Sequence, residues 1–386
     1  MSGPADETAV ALLRVSADGR DWREVSPPVQ SVDVEDHDRL TDKATIVLDD
    51  NTGVLADASF EGLEVRLTMG WQAEPATIFE GEIIGSRVIA APGGQKIELT
   101  ALDFTNRMAR HTPNPPMVWH NGERLSEVLK SIVERTGNRI VAKQIEPTED
   151  LRFDEAHPLR QANVNDWEFV LDLARRQNCL AFVEFDGKDA SKFYFVPVAK
   201  VGTAEPFGEL RYCRGTGELI EFDYERISSG ALPLRGASTI DPASGQVVTA
   251  PAPAAPPRPA VPAPATSRDR DLGAGRRAAL EALTELAAAT NDRLQQPTEQ
   301  VAGAAADPGA DAARVVPDPT RKLGLSGRGV ASGTVHLRAK SRVRISGVAP
   351  WAEGAWYVTK VNHVYTRERI NNRTRSSYFS KFTATM

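Results

Sequence analysis

The chain has 386 residues, 41% of them hydrophobic and 25% charged, a composition typical of a soluble globular protein with two or three domains. Its formal net charge is −6 and it contains no long basic run, so we expect no nucleic-acid partner. The first residues lack the basic region and apolar core of a signal peptide, and no stretch approaches the ~20 apolar residues of a spanning helix. We therefore expect assembly in the cytoplasm without direct membrane insertion.

Residues 1–112 are predicted to form an antiparallel β-barrel domain. Val32 and Val34 share one face of a strand whose other face is polar, which is the period of a half-buried strand. Gly81 and Gly85 are predicted bulge or bend points in a longer strand. The predicted strands are 10–15, 29–34, 44–48, 63–69, 78–88 and 96–102. Short strands separated by turn signals favour a closed or nearly closed barrel.

Residues 113–205 are predicted to form a small α/β domain. The first helix has Asn121 as its N-cap and ends at Gly137. The second helix begins at Asn165, and Glu168 three residues later resembles a capping box. The apolar stripe of the first helix is Leu125, Val128, Leu129, Ile132 and Val133. The segments 180–185 and 193–196, joined by a polar turn, are predicted to form a β-hairpin.

Residues 206–250 and 325–386 are predicted to form a second β-barrel-like domain that is split by an insertion. Its predicted strands are 218–224, 234–240, 246–249, 333–337, 341–345, 356–365 and 376–385. The insertion, 251–324, is Pro/Ala-rich: Pro251 to Pro264 holds seven prolines and five alanines, which cannot build a packed core. We expect a disordered linker with a short helix at 276–294. The predicted class is therefore α+β, mainly β, with two β-barrel-like domains flanking the α/β domain.

The sequence lacks the residue spacings of known catalytic and metal sites. Its six histidines are His37, His111, His120, His157, His336 and His363. No two are spaced i, i+4 and no H-E-x-x-H occurs, so we expect no metal site. No G-x-S-x-G elbow is present, and nothing singles out a carboxylate pair of the kind glycosidases need. We predict that the protein is not an enzyme, with no catalytic, cofactor-binding or metal-binding residues and no cofactor.

Two segments resemble ligand-binding loops but lack the residues that such loops require. Asp49–Gly53 has neither the alternating oxygen ligands nor the trailing Glu of a calcium loop, and a hairpin turn is favoured. Gly324–Gly333 lacks the Gly-Lys-Ser/Thr of a P-loop and is interpreted as a flexible re-entry into the last strands. Cys179 is interpreted as a buried free thiol, although a disulfide with Cys213 stays open.

The order of these segments carries a family resemblance. The stretches concerned are 125–133, 165–176 with 180–185, 234–248, and 342–348 with 354–365. Each is degenerate alone, but in this order they resemble the phage late control gene D family of tail baseplate hubs. The same architecture forms the base of VgrG-type spikes and the hubs of extracellular contractile injection systems. With the N-terminal β-block, the resemblance covers most of the chain outside the insertion.

The resemblance implies a structural homotrimer that adapts a trimeric spike to a hexameric tail tube. Each subunit would supply two barrel-like units, so that three chains present six. The implied partners are the chain itself, a spike protein, an inner tube or tube-initiator protein and other baseplate components. The sequence contains no β-helix needle and no lysozyme-like insertion, so the resemblance assigns piercing and cell-wall cleavage to other chains.

Two other functions stay open at this stage. One is a tail-associated peptidoglycan-degrading enzyme. The other is a carbohydrate-binding β-protein, for which Trp351 and Trp356 would be the platform, although packing within the last strands is favoured for both. For the insertion, a solvated loop is favoured over a tether that holds another component.

Overall fold

The computed structural model describes residues 8–25, 29–91, 94–137, 139–188, 190–213, 217–226, 235–240, 247–250, 283, 299–302, 325–370 and 373–386. The strands are β1 Ala9–Ser16, β2 Arg23–Glu24, β3 Val29–His37, β4 Lys43–Asp49, β5 Glu64–Trp71, β6 Glu74–Ala91, β7 Gly94–Asp103, β8 Met117–Trp119, β9 Ile140–Ile145, β10 Leu159–Gln161, β11 Cys179–Glu184, β12 Ser191–Pro197, β13 Glu209–Arg211, β14 Leu219–Arg226, β15 Arg235–Ile240, β16 Val247–Ala250, β17 Glu299–Ala302, β18 Leu325–Ser332, β19 Arg342–Ser346, β20 Gly354–Ile370 and β21 Arg373–Thr385. The helices are α1 Thr105–Arg110, α2 Leu125–Glu134, α3 Asp166–Arg176 and α4 Val198–Gly202, with 3-10 turns at Leu55–Asp57 and Pro350–Ala352. Strands far outnumber helices, which confirms the predicted α+β, mainly β class.

The first ring of strands contains β1 and β3 to β7. The order β20–β3–β4–β7–β6–β5–β1 is hydrogen-bonded throughout and antiparallel. Side chains complete the ring: Ser376 Oγ of β21 donates to Ala9 O of β1 at 2.7 Å, and Trp71 Nε1 donates to Gly333 O at 2.7 Å. The predicted bulge at Gly85 is confirmed, because the β6–β7 register shifts between Ile83 and Gly85.

The second ring contains β13, β14 and β18 to β21. The order β14–β18–β21–β20–β19–β13 returns to its start, since Tyr212 after β13 forms a bridge with Leu219 of β14. Trp356 fills the core of this ring and is fully buried, with Phe222 edge-on to it at 5.2 Å. The two β-blocks therefore belong to a single sheet rather than to separate sheets.

The long β20–β21 hairpin is common to both rings. Its base, Gly354–Tyr357, pairs with β19 of the second ring, while Lys360–Thr366 pair with β3 of the first. Tyr365 and Tyr378 pack in the first apolar core, and residues nearer the base pack in the second. A continuous hydrogen-bonded hairpin thus couples the two rings.

The glycine-rich segment is a regular strand, so its interpretation as a flexible re-entry is wrong. β18 spans Leu325–Ser332, whereas the predicted strand at 333–337 is a loop. A Cβ on Gly327 would lie 2.5 Å from the Phe222 ring, and one on Gly329 would lie 2.4 Å from the Phe382 ring. These glycines provide room for aromatic rings rather than backbone freedom. Their spacing of two residues was the signal in the sequence.

The α/β block packs α2 and α3 against the sheet β11–β12–β9. Asn165 is the N-cap of α3, as predicted, and its Oδ1 accepts from Glu168 N at 2.8 Å. Asn121 is not the N-cap of α2. That helix begins at Leu125, and the Glu127 carboxylate accepts from the N–H of Arg124 at 2.9 Å.

The predicted strands 234–240 and 246–249 exist as β15 and β16, but they do not join the large sheet. They pair with each other, and β15 also pairs with β17, which lies within the predicted linker. The prediction of an unstructured linker is therefore wrong at 299–302, where pairing with β15 gives a short segment its hydrogen bonds. Apart from Leu283 and β17, the linker 251–324 and its predicted helix at 276–294 lie outside the described residues. The boundaries of the domains stay predictions.

Candidate functional site: a buried charge junction

Six charged side chains meet where the first ring, the α/β block and the loop after β18 converge. We call them the junction cluster: Asp36, Asp42, Asp103, Glu184, Arg338 and Lys340. Asp36 lies on β3, Asp42 before β4 and Asp103 at the end of β7. Glu184 ends β11 of the α/β block. The cluster thus draws from three parts of the chain that are distant in sequence.

Lys340 is the central cation of the junction cluster, and only 4% of its side chain is exposed. Its Nζ lies 2.7 Å from Asp36 Oδ1, 3.1 Å from Glu184 Oε2 and 3.5 Å from Asp42 Oδ2. The Phe182 ring lies 5.3 Å from the same atom and adds a cation–π contact. Lys340 has φ 66°, an uncommon conformation for a residue with a side chain, and its N–H donates to Val358 O.

Arg338 forms the second bridge of the cluster. Its Nε donates to Asp36 Oδ2 at 2.7 Å, and its Nη2 pairs with Glu184. The N–H of Ala339 also donates to Asp36 Oδ2 at 3.1 Å. One carboxylate of the first ring is therefore held by the side chains and the backbone of a single loop.

Asp42 and Asp103 extend the cluster toward α1. The N–H of Asp42 donates to Asp103 Oδ2 at 2.8 Å, and the N–H of Thr105 donates to Asp103 Oδ1 at 2.8 Å. Asp42 in turn accepts from the N–H of His37 at 2.9 Å. These bonds fix the β3–β4 turn against the end of β7.

The protonation of the cluster follows from three buried carboxylates and the partly buried Glu184 sharing two cations. Burial raises the pKa of Asp103 to about 6, because the hydrogen bonds from Thr105 and Asp42 only partly offset it. Burial also raises the pKa of Asp42. For Asp36 burial acts in the same direction, but the charges of Lys340 and Arg338 outweigh it and hold that pKa below its usual range. The pKa of Lys340 is raised, since its carboxylate partners outweigh burial.

Asp36, Asp42 and Glu184 also form the one group of metal-ligand type found in the described part of the chain. Their oxygens lie within 4.8 Å of one another. The Lys340 ammonium lies within 3.5 Å of an oxygen of each, where a metal ion would otherwise balance their charge. We therefore interpret the cluster as an internal ion-pair network.

Sequence reasoning missed the junction cluster, although one of its members carried a signal. Asp36 lies two residues after Val34 on β3, so it belongs to the same buried face of the strand as Val32 and Val34. A carboxylate on such a face needs a partner. Nothing local to the sequence points to Arg338 or Lys340 as that partner.

A second charged group joins the first ring to the α/β block. We call it the barrel–helix cluster: Glu64, Glu80, Glu82, Arg66, Arg107, Arg110 and Arg139. Arg107 pairs with Glu82 at 2.8 Å and with Glu64 at 2.9 Å, and Arg139 pairs with Glu64 at 2.8 Å. Despite burial, hydrogen bonds from Arg107 and Arg110 keep the pKa of Glu82 below its usual value.

The six histidines do not come together as a site. His363 is fully buried, its Nδ1 lies 2.8 Å from Tyr378 Oη, and burial lowers its pKa to about 3, so it packs as a neutral residue. His111 pairs with Asp166 at 2.8 Å within the α/β block. His157 and His336 lie near Asp154 and Glu74 at 3.4 Å, His37 lies near Glu35 at 3.7 Å, and His120 is half-buried.

The remaining candidate residues have structural environments. Cys179 is a buried free thiol, as predicted, and Cys213 is free and exposed. Asp50 accepts from the N–H groups of Leu55 and Ala56 at 3.1 and 3.0 Å and so holds a 3-10 turn. The segment 49–53 is therefore a turn but not the predicted hairpin, since β4 pairs with β3 and β7 and not with β5.

Trp356 cannot serve as a carbohydrate platform. It is fully buried, and its Nε1 donates to Ala352 O at 2.9 Å. Trp351 is half-buried with its ring tilted against Tyr224 at 5.2 Å. Both tryptophans pack in the last β-block, which was the favoured interpretation.

Three surface pockets of about 380 to 520 Å³ are lined mainly by apolar side chains and strand edges. One lies between β1 and the β20–β21 hairpin, one beside β14 and one between α2 and α3. None of the three contains a pair of carboxylates or a nucleophile beside a histidine. In the segments that the structure describes, no helix combines the length and the apolar character needed to cross a membrane.

The chain shares its fold with bacteriophage tail proteins. A tail protein from Neisseria meningitidis MC58 superposes with a TM-score of 0.60 and 11% identity over 98% of this chain and 97% of that one. The 43 kDa tail protein of prophage MuSo2 from Shewanella oneidensis gives 0.61 and 7% identity over 98% of both. An E. coli component of the type VI secretion system gives 0.55 and 12%, over 97% of this chain and 76% of that one. No family model matches the sequence, and no curated protein matches it.

Proposed function

We propose that the chain is a structural baseplate hub of a phage tail or contractile injection system, of the late control gene D type. The observation that carries the proposal is the agreement in fold with two tail proteins over 97 to 98% of all three chains. Agreement over whole chains includes both rings, the α/β block and their connections. A chance match of one barrel would not extend over all of these parts. In this proposal the chain assembles in the cytoplasm and becomes part of the particle.

Two ring-like units in one chain support a role as a symmetry adaptor. Three copies would present six similar strand units to a hexameric tube and one threefold axis to a spike. The homotrimer, the spike protein, the inner tube or tube-initiator protein and other baseplate components are the proposed partners. Interfaces of roughly 2,000 Å² or more per pair are expected for an obligate assembly of this kind.

The junction cluster supports the same role mechanically. An adaptor between spike and tube has to keep its units in fixed orientation, while domains joined by small polar interfaces move by default. Here Lys340 connects carboxylates from the first ring and from the α/β block, and the β20–β21 hairpin joins both rings. We expect the three parts to move as one body.

The test is co-expression with a tube protein and a spike protein from the same organism. We expect the purified chain to have three times the mass of a single copy in native mass spectrometry. We also expect a ring with a threefold axis in electron micrographs, capped by the spike protein and bound to the tube protein. A monomer that binds neither protein would overturn the proposal.

The alternative of a peptidoglycan-degrading enzyme needs two carboxylates that flank an open cleft. Asp36, Asp42 and Glu184 surround Lys340 in the interior instead. We expect the purified chain to leave a peptidoglycan gel uncleared. Lysis that disappears when one carboxylate is replaced would overturn the structural role.

A further inference from the structure

The β20–β21 hairpin extends beyond every strand that pairs with it. The pairing of β20 with β3 ends at Thr366, and the pairing of β21 with β18 ends at Phe379. From Arg367 and Ser376 outward, the backbones of the two strands pair only with each other among the described residues. At the start of this stretch, Ser376 Oγ also donates to Ala9 O of β1. We call residues 367–370 and 373–376 the hairpin arm. A lone two-stranded ribbon is marginally stable in water, so a partner would stabilise it.

The hairpin arm is strongly basic in an acidic chain. Four arginines and one glutamate give it a net charge of +3, against −6 for the whole chain. The arginines are Arg367, Arg369, Arg373 and Arg375. The last three are exposed, and none of the four forms an ion pair with another residue that the structure describes. These arginines are available to a partner of opposite charge.

An exposed acidic surface lies on β14 of the second ring. Glu221, Asp223 and Glu225 point outward, while the alternate residues Phe222 and Tyr224 pack inward. We call the three carboxylates the β14 acidic face. In the described part of the chain neither Glu221 nor Asp223 has an ion-pair partner, whereas Glu225 accepts from Ser326 Oγ at 2.9 Å.

The arm cannot reach this face within one molecule. Asp223 is the cross-strand partner of Arg328 on β18, and Arg328 is in turn the cross-strand partner of Thr383 on β21. Thr383 is eight residues from Arg375 along the same strand, or about 26 Å at 3.3 Å per residue. Because both elements belong to one hydrogen-bonded sheet, the basic and acidic surfaces are held apart.

We propose that the hairpin arm of one copy docks on the β14 acidic face of a second copy. Contact between two different surfaces of the same chain is head-to-tail, so it repeats from copy to copy and closes a ring where the rotation allows. Complementary charge selects this register and disfavours contact between like surfaces. The proposal rests on the self-assembly put forward under the proposed function and adds the surfaces that meet.

A mixed disulfide tests the contact directly. Cys213 is exposed and would compete, so all variants carry Cys213→Ser. A chain with Thr374→Cys is co-expressed with a differently tagged chain carrying Asp223→Cys, and then oxidised. The control replaces the second chain by one with Lys130→Cys, an exposed position on α2. We expect at least about tenfold more mixed disulfide with Asp223→Cys, since proximity raises the effective concentration of the thiols.

Charge reversal gives a second readout. Arg369→Glu with Arg375→Glu in one variant, and Glu221→Arg with Asp223→Arg in another, should each weaken self-association at least about tenfold at low salt. Combining all four changes should restore it, because the charges are exchanged. A matched control, Lys130→Glu with Lys188→Glu, changes the same amount of charge at exposed sites away from both surfaces and should have no such effect.

The outcomes separate this contact from the proposed hub. A trimer that survives both reversals, with mixed disulfide at the level of the control, overturns the arm contact and leaves the hub standing. Loss of association that the four-residue exchange does not restore also overturns the contact, because the arm then binds another acidic partner. A monomeric wild-type chain, together with cysteine variants whose mixed disulfide stays at the level of the control, overturns the contact together with the trimer.

Discussion

The junction cluster and the barrel–helix cluster both join the first ring to other parts of the molecule through ion pairs, yet water reaches them very differently. Lys340 is 4% exposed, whereas Arg107 and Arg110 are 26% and 56% exposed. The junction cluster has four carboxylates for two cations, while the barrel–helix cluster has three carboxylates for four arginines. In the junction cluster the carboxylates outnumber the cations, so each cation is needed. In the barrel–helix cluster the arginines outnumber the carboxylates.

This difference determines how much each charge contributes. A buried charge that loses its partner keeps its cost of desolvation, which amounts to several kcal/mol. A charge that water can reach is solvated again and is screened by salt. Similar ion-pair distances in the two clusters therefore do not imply similar energies.

The largest effect is expected for Lys340→Met, which removes the central cation and keeps most of the side-chain volume. It leaves Asp36, Asp42 and Glu184 facing one another without that charge, so we expect a loss of about 3–5 kcal/mol in the free energy of unfolding. Urea denaturation of the purified chain measures it. The control is Lys360→Met, which breaks a pair with Glu35 whose side chains are 32% and 29% exposed. It should cost about 1 kcal/mol or less, and equal losses would contradict the comparison.

The second effect is a change in pH dependence for Asp103→Asn. The pKa of Asp103 is about 6 in the folded chain, above its ordinary value of 3.8, so its contribution to stability is full below pH 4 and is lost as pH rises through 6. His363 acts oppositely, because its folded pKa of about 3 lies below 6.5 and stability falls as pH falls through that window. Between pH 4 and 6 the two contributions largely cancel.

Asp42, whose pKa is also raised, acts in the same direction as Asp103. Without Asp103, one of these two contributions that oppose His363 is lost. We expect the free energy of unfolding of Asp103→Asn to fall by about 1.4 kcal/mol per pH unit, relative to wild type, from pH 6 to pH 4. Denaturation at pH 4, 5 and 6 gives this slope. Asp57→Asn, at an exposed position, is the control and should run parallel to wild type. Parallel curves for both variants would show that Asp103 titrates in its ordinary range.

The sequence carried the local features of this fold and not the distant ones. The cap of α3 and the bulge at Gly85 follow from residues within a few positions of one another, and both were predicted. The glycines of β18 were misinterpreted because their role depends on Phe222 and Phe382, which are distant from them in the sequence. The junction cluster needs residues from three segments, so only Asp36 could be suspected from its place in the strand pattern.

The third effect is expected for Arg107→Met in the barrel–helix cluster. This arginine is the one that contacts both Glu64 and Glu82, but each carboxylate keeps another arginine, Arg139 or Arg110. We expect a loss of about 1–2 kcal/mol, below that of Lys340→Met, because partners and water remain. Urea denaturation at low and high salt measures it. A loss as large as that of Lys340→Met would mean that water has as little access to the barrel–helix cluster as to the junction cluster.

The smallest effect is expected for Arg110→Met. Its side chain is more than half exposed and its partner, Glu82, retains the hydrogen bond from Arg107, so the loss should be about 0.2–1 kcal/mol and should shrink further in salt. The informative measurement is the double variant with Arg107→Met, in which Glu82 has neither arginine. Its loss should exceed the sum of the two single losses, because the second removal leaves a carboxylate that is 8% exposed without an ion partner. Additive losses would show that water replaces both arginines at Glu82. The barrel–helix cluster would then hold its parts together by packing rather than by charge.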